Sequence, residues 1–353
     1  MNSFENFTGW TNTTSNKTQA EVYNKLFSVT IIMTIYALFL VVTVTGNGLV
    51  CWIVLTNRRM HDSTNILLVN LALSDLLMAL ASTFQFADFA VKDLNLGDVG
   101  CKFQVNMVNI PYGASCLTIA FISFERYYAI CRPLDLDYVK DRLKYIIPSI
   151  WLLSFAIYFP TLYFCGSNLK REGDQLSCDC THRWPSLRAK NIHGVFIVVA
   201  LYFIPFTVAS CFYSVVIRRL KQVIPGENEG NLAVYKSRRS VVRMVMVTLI
   251  VFFVAWTPYN ILYMLKRLEV DYRSVYTYVW YPSLLLATTH CMCNPIIYCL
   301  LGSNFRKAFK TILCCQSCRV PGFIQDFLHQ SSSVTPTRQT TRQFHINEMQ
   351  MIA

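Results

Sequence analysis

Seven stretches of this chain, at about 28 to 55, 65 to 88, 100 to 132, 143 to 164, 192 to 220, 240 to 265 and 276 to 300, are apolar over more than twenty residues each. A hydrocarbon layer roughly 30 Å thick is crossed by about 20 helical residues, so every stretch is long enough to span a membrane. In lipid the backbone must satisfy its own hydrogen bonds, and for isolated runs of this length the helix does so locally. The chain therefore reads as an all-α membrane protein, a seven-transmembrane helix bundle. An odd number of spans places its two ends on opposite sides.

Length alone would allow two water-soluble domains in 353 residues, but composition decides otherwise. With 54% hydrophobic and 15% charged residues, polar groups cannot cover the surface in water. The net charge of +12 raises the question of nucleic acid, yet the Lys and Arg fall in short clusters between apolar runs without a binding motif. No nucleic-acid partner is expected. Of the fourteen cysteines, Cys51, Cys116, Cys131, Cys211, Cys291, Cys293 and Cys299 lie in or beside apolar runs and read as small buried hydrophobes.

Two independent signals orient the spans. The polar segment 1–27 does not read as a cleaved signal peptide and carries three glycan acceptor triplets, at Asn6, Asn12 and Asn16, as expected of an unstructured outer tail. Basic residues collect after the first span (Arg58, Arg59), after the third (Arg132, Lys140, Arg142, Lys144) and around the fifth connector (Arg218, Arg219, Lys221, Lys236, Arg238). These connectors should face the cytoplasm. A plasma-membrane, multi-pass protein with an extracellular N-terminus follows.

The third span links the two sides. From Cys101 to Arg126 a helix would advance about 37 Å at about 1.5 Å per residue, setting a thiol at the outer, oxidising face and Glu125-Arg126-Tyr127 at the inner one. Beyond the transmembrane domain, 28–301, residues 302–315 show Phe305, Ala308, Phe309 and Ile312 at helical spacing between Arg306, Lys307 and Lys310. This predicts a short amphipathic eighth helix lying on membrane lipid. Cys314 and Cys315 beside it are palmitoylation candidates, with free thiols as the alternative reading and no fourth ligand for a zinc site. Residues 316–353 read as a disordered cytoplasmic tail rich in phosphorylatable hydroxyls.

Polar side chains inside lipid-spanning runs are costly, so each is a functional hypothesis. Asp75, with Asn47, Ser115 and Asn294 at similar depth, would form a water-filled polar core or a monovalent-cation site. Pro160, Pro205, Pro258 and Pro295 free carbonyls that neighbouring helices must satisfy, so packing there can have two settings.

Taken together, Gly46-Asn47, Leu71-Ala72-Leu73-Ser74-Asp75, Glu125-Arg126-Tyr127 with Cys131-Arg132-Pro133-Leu134, Trp151, Pro205 and Tyr213, Phe252 with Trp256-Thr257-Pro258-Tyr259, and Asn294-Pro295-Ile296-Ile297-Tyr298 resemble the rhodopsin-like (class A) G-protein-coupled receptors over about 28 to 315. The resemblance implies a receptor whose sixth helix swings outward to admit a heterotrimeric G protein. Arg126 would pair with Glu125 at rest and meet Tyr213 and Tyr298 on activation. Trp256 would be the switch beneath the ligand, Pro205 with Phe252 the transmission layer, Leu134 the G-protein contact, and the phosphorylated tail an arrestin site. The family and the oxidising face also imply a bridge from Cys101 to the second outer loop, to Cys180 or alternatively Cys178, with Cys165 available for a second bridge. The resemblance also implies an allosteric sodium site at Asp75, Ser115 and Asn294, but the family usually carries a small amide and a hydroxyl where this chain has His290 and Cys291, which bears against it.

For the ligand, the resemblance places Val108 where amine receptors carry an Asp and Thr288 where opsins carry the retinal Lys. What remains, Gln85, Gln104, Val108, Asn109, Tyr112, Tyr259, Tyr263 and Trp280 under a long second outer loop, is similar to neuropeptide receptors and suits a small, amidated peptide; a lipid or other non-amine small molecule is the alternative. A transporter or channel would predict internal repeats and several intramembrane charges, and neither is found. No nucleophile–base pair, paired carboxylates or metal-ligand spacing suggests an enzyme.

Overall fold

The computed structural model describes the backbone of residues 5–91, 97–172, 175–222, 229–270 and 273–313, and the side chains of most of them. Residues through Ala308 form one compact unit; Phe309 onward is a separate one. Seven helices carry apolar windows long enough to cross a membrane. They are α1 (Glu5–Thr56), α2 (Ser63–Val91), α3 (Gly97–Cys131), α4 (Leu136–Phe164), α5 (Leu187–Gln222), α6 (Glu229–Arg267) and α7 (Arg273–Leu301). The apolar parts, such as Val29–Thr56, Ser63–Ala87 and Asp98–Cys131, lie close to the bounds read from hydropathy.

Helix α3 is the hub. It packs against α2, α4, α5 and α6, while α6 meets α7 and α7 meets α1, closing a ring. Burial follows this order: 67% of the apolar window of α3 is inside the bundle against 11% for α1. The perimeter shows Leu38, Trp52 and Leu55 on α1, Leu152 on α4 and Val254 on α6, large apolar side chains turned outward where a water-soluble bundle would carry charge. Only a lipid solvent makes that face stable.

Polar bonds staple the hub. Asn70 on α2 donates to Thr118 on α3 (2.8 Å) and accepts from the Trp151 indole on α4 (2.9 Å). Ser154 on α4 donates to the Ile110 carbonyl of α3 (2.7 Å), beside Pro111 and Gly113, where a Cβ would collide with the Ser154 hydroxyl. In α5 a π turn over Val199–Phe203 precedes Pro205, the local widening expected where a proline interrupts the ladder.

Two features depart from expectation. The stretch 1–27, read as an unstructured tail, is helical from Glu5 and continuous with α1. The connector between α4 and α5 contains an antiparallel hairpin, β1 (Cys165–Glu172) with β2 (Gln175–His182), inserted in an otherwise helical bundle. Glu172 pairs with Gln175, leaving a two-residue Gly173-Asp174 connection, a hairpin signal present in the sequence. Above the bilayer water competes for backbone groups, and a ladder is as good a solution as a helix. The eighth helix, α8, is described over Ser303–Leu313; residues 314 and 315 of the predicted 302–315 lie outside the described residues. Gly302 starts it; a Cβ there would meet the Tyr298 carbonyl at 2.7 Å.

Candidate functional site

An outer cavity of about 410 Å³ opens among α2 to α7. Six of the predicted ligand residues line it: Gln85, Asn109, Tyr112, Tyr259, Tyr263 and Trp280. Gln104 and Val108 are buried and do not. On α3 the lining positions are Val105, Asn109 and Tyr112, spaced four and three apart, and residues 104 and 108 sit about 100° around the helix from them. Lys266, which the sequence also offers as a polar pocket residue, lines it too, and the structure adds Tyr158, Trp184, Lys190, His193 and Arg267. Lys190 escaped sequence reading because it precedes the apolar run at 192 to 220 and looked like connector, although the helix already starts at Leu187.

The walls are aromatic and braced. Tyr259 packs against Trp280 (centroids 4.9 Å apart) and Tyr263 (6.3 Å); Lys266 Nζ lies 5.6 Å above the Trp280 ring. Arg267 donates from Nη2 to the Tyr263 hydroxyl (2.9 Å), and Asn260 orients Tyr112 (3.3 Å). Among the described residues no Asp or Glu lines the cavity, and two wall atoms are buried without a hydrogen-bond partner: the acceptor Gln85 Oε1 and the donor Arg267 Nε. A larger groove of about 750 Å³ lies outside the bundle between α3, α4 and α5, edged by Phe121, Phe124 and Leu153, on the lipid-facing perimeter.

Trp256 forms the cavity floor. It packs on Tyr112 (4.1 Å) and its indole donates to His290 Nδ1 (3.1 Å). His290 in turn sits edge-on to Phe252 (5.0 Å) and places Nε2 3.4 Å from Asp75 Oδ1. Asn294 donates to the other Asp75 oxygen (2.7 Å). Asp75, Ser115 and Asn294 are all buried, but only Asn294 bonds Asp75; the Ser115 hydroxyl is unpartnered among the described residues and Asn47 donates to backbone carbonyls. Sodium, a hard ion, asks for oxygen donors, and here imidazole and thiol stand against Asp75 instead. The donor set does not fit it.

At the inner end Glu125 is fully buried and binds Arg126 through two contacts, Nε to Oε2 at 2.7 Å and Nη2 to Oε1 at 2.6 Å. Thr64 of α2 adds a third, 2.9 Å from Oε2. Ser240 on α6 donates to the Leu301 carbonyl at the end of α7 (2.6 Å). The hydroxyls of Tyr213 and Tyr298 are buried and unpartnered among the described residues. Pro205, Phe252 and Pro258 lie within the α5 and α6 helices as expected.

Cys101 is disulfide-bonded, and Cys165 is a free, buried thiol, which removes it from the expected second bridge. Its Sγ donates instead to the Cys101 carbonyl at 3.7 Å. The side chains of Cys178, Cys180, Leu134, Asn6, Asn12 and Asn16, and residues Cys314 and Cys315, lie outside the described set.

Residues 46–298 match the family model described as 7 transmembrane receptor (rhodopsin family). The chain is 31% identical over 292 residues to the Tachykinin-like peptides receptor 86C of Drosophila melanogaster, covering 80% of this chain and 58% of that protein. It is 30% identical over 291 residues to the Substance-K receptor of Mus musculus, covering 80% and 75%. With its seven spans, the inner Glu125–Arg126 pair and a match running from α1 through α7, the chain belongs to the rhodopsin family of seven-transmembrane receptors.

Proposed function

We propose that this receptor is gated by a small extracellular peptide, amidated at its C-terminus and carrying an acidic group, and activates a heterotrimeric G protein. The observation that carries the reading is the cavity wall: an unpaired acceptor at Gln85, an unpaired donor at Arg267, stacked aromatics, and the cations Lys190 and Arg267 without a carboxylate among the described lining residues. A peptide end offers amide donors and acceptors for the first two, and an acidic side chain offsets the cations. The relatives' names support a peptide of tachykinin type.

The ligand would press on Trp256, shift His290 against Asp75, and release α6 from Leu301 and Arg126 from Glu125. Arg126 would then reach Tyr213 and Tyr298, opening the inner face to the G protein, with arrestin taking the phosphorylated tail afterwards. Glycan triplets and the basic inner connectors support a plasma-membrane protein with its N-terminus outside. Reporter cells exposed to amidated tachykinin-type peptides, with and without acidic residues, test this beside lipids and small metabolites. A response to acidic amidated peptides that falls at least tenfold in potency in Lys190→Gln is expected. A response confined to lipids or metabolites would overturn the peptide reading.

A further inference from the structure

Asp75 on α2 and His290 and Cys291 on α7 bring a carboxylate oxygen, an imidazole nitrogen and a sulfur within 4.8 Å of one another, all three residues buried. His290 Nε2 lies 3.4 Å from Asp75 Oδ1 and 3.5 Å from Cys291 Sγ. Tetrahedral ligands at about 2.0–2.3 Å from a common ion are separated by roughly 3.3–3.7 Å, the spacing of both edges; the thiol, also 3.7 Å from Nδ1, has to rotate off the imidazole ring to share an ion with Nε2. The Asp75–His290 pair is not closed by a hydrogen bond: Oδ1 stays unpartnered although the ring nitrogen is 3.4 Å away. The groups that face Oδ1 are the His290 imidazole, at long ion-pair distance, and the neighbouring Cys291 thiol.

The surroundings are those of ligands held for an ion. A metal-bound imidazole normally donates its other N–H to a carbonyl; for His290 to bind an ion through Nε2 its proton must sit on Nδ1, where the Ala287 carbonyl 2.6 Å away accepts it and the Trp256 indole gives up its bond to that nitrogen. The second Asp75 oxygen accepts from Asn294, which leaves Oδ1 for another partner. Asn47, whose amide donates to the Cys291 carbonyl, holds the backbone of the sulfur ligand.

We propose that Asp75, His290 and Cys291 form a binding site for a borderline-soft divalent cation, zinc being the best match to mixed oxygen, nitrogen and sulfur donors. Binding displaces the thiol proton to solvent, so carboxylate, thiolate and a 2+ ion leave the buried centre with no net charge. A water or the unpartnered Ser115 hydroxyl completes four-fold coordination. The ion ties α2 to α7 directly beneath the Trp256–His290 contact.

The test uses the purified full-length receptor in detergent. Stripped with chelator and titrated with zinc chloride, it should bind one ion per chain by plasma mass spectrometry and melt on the order of 5 °C higher. Exchanging choline chloride for sodium chloride should leave its melting unmoved. His290→Asn/Cys291→Ser supplies an amide and a hydroxyl in place of the imidazole and thiol; it should lose the zinc shift and gain one with sodium. Cys291→Ser alone should weaken zinc binding at least tenfold. A wild-type melt unmoved by zinc overturns the proposal. So does a zinc shift that survives in both variants, because the ion would then be bound elsewhere.

Discussion

Asn47 on α1 donates its side-chain amide across 2.8 Å to the carbonyl of Cys291 on α7, the carbonyl that Pro295, four residues on, has no N–H to satisfy. Gly46 makes the approach possible, since a Cβ there would lie 2.6 Å from the Pro295 ring. One residue removes steric bulk and the next repairs the hydrogen-bond ladder. Asn47→Ala should therefore cost about 1–3 kcal/mol, and Pro295→Ala in that background should recover part of it by restoring an N–H. Thermal melting of the purified variants checks this; a double variant no better than Asn47→Ala would mean that the orphaned carbonyl is not the cause.

Glu125→Gln should raise ligand-independent signalling several-fold at normal surface expression. Two charge-assisted bonds hold Arg126 in the resting position, and an amide retains their shape while removing the charge. Thr64→Val, which removes only the hydroxyl bond to Glu125, should raise it roughly twofold. Basal G-protein activation in reporter cells reads both.

The Ser240 bond to the Leu301 carbonyl must break if α6 moves away from α7. Ser240→Ala removes a contact made only in the closed arrangement, so basal activity should rise roughly two- to tenfold. Equal basal activity at equal expression would place the closing force elsewhere.

Tyr213→Phe and Tyr298→Phe separate stability from signalling. Each deletes a buried hydroxyl with no partner in this arrangement, so melting should stay level or rise by about 1 kcal/mol in stability. Maximal signalling should fall, because the hydroxyls are needed only once Arg126 is free. A drop in melting without a signalling defect would contradict both.

Non-reduced peptide mapping should find Cys101 joined to Cys180, with Cys178→Ser retaining the bridge and Cys180→Ser losing it. Cys165→Ala should leave it intact. Burial pushes the Cys165 thiol up from its ordinary value, so less thiolate is present at neutral pH and its alkylation should be slower than that of an exposed cysteine.

Span boundaries were legible because crossing lipid is a property of one segment's own composition. The predicted 65 to 88 and 100 to 132 correspond to Ser63–Ala87 and Asp98–Cys131 without help from neighbours. The inner Glu125–Arg126 pair was equally accessible, being adjacent in sequence. The hairpin in the second outer loop was missed, since Gly173-Asp174 was read as part of a loop.

Which way a side chain turns around its helix axis, and what it meets there, lay beyond the linear pattern. Gln104 and Asn109 looked equivalent as polar residues at the outer end of α3, yet only Asn109 faces the cavity. Lys190 joins it from the start of α5, and His290 links Trp256 on α6 to Asp75 on α2. Depth in the membrane follows from counting residues at 1.5 Å each, so the sequence by itself determined the spans and the inner ion pair. Azimuth and partner depend on how seven helices exclude lipid between them, and only the tertiary structure decided the cavity wall and the Asp75–His290–Cys291 cluster.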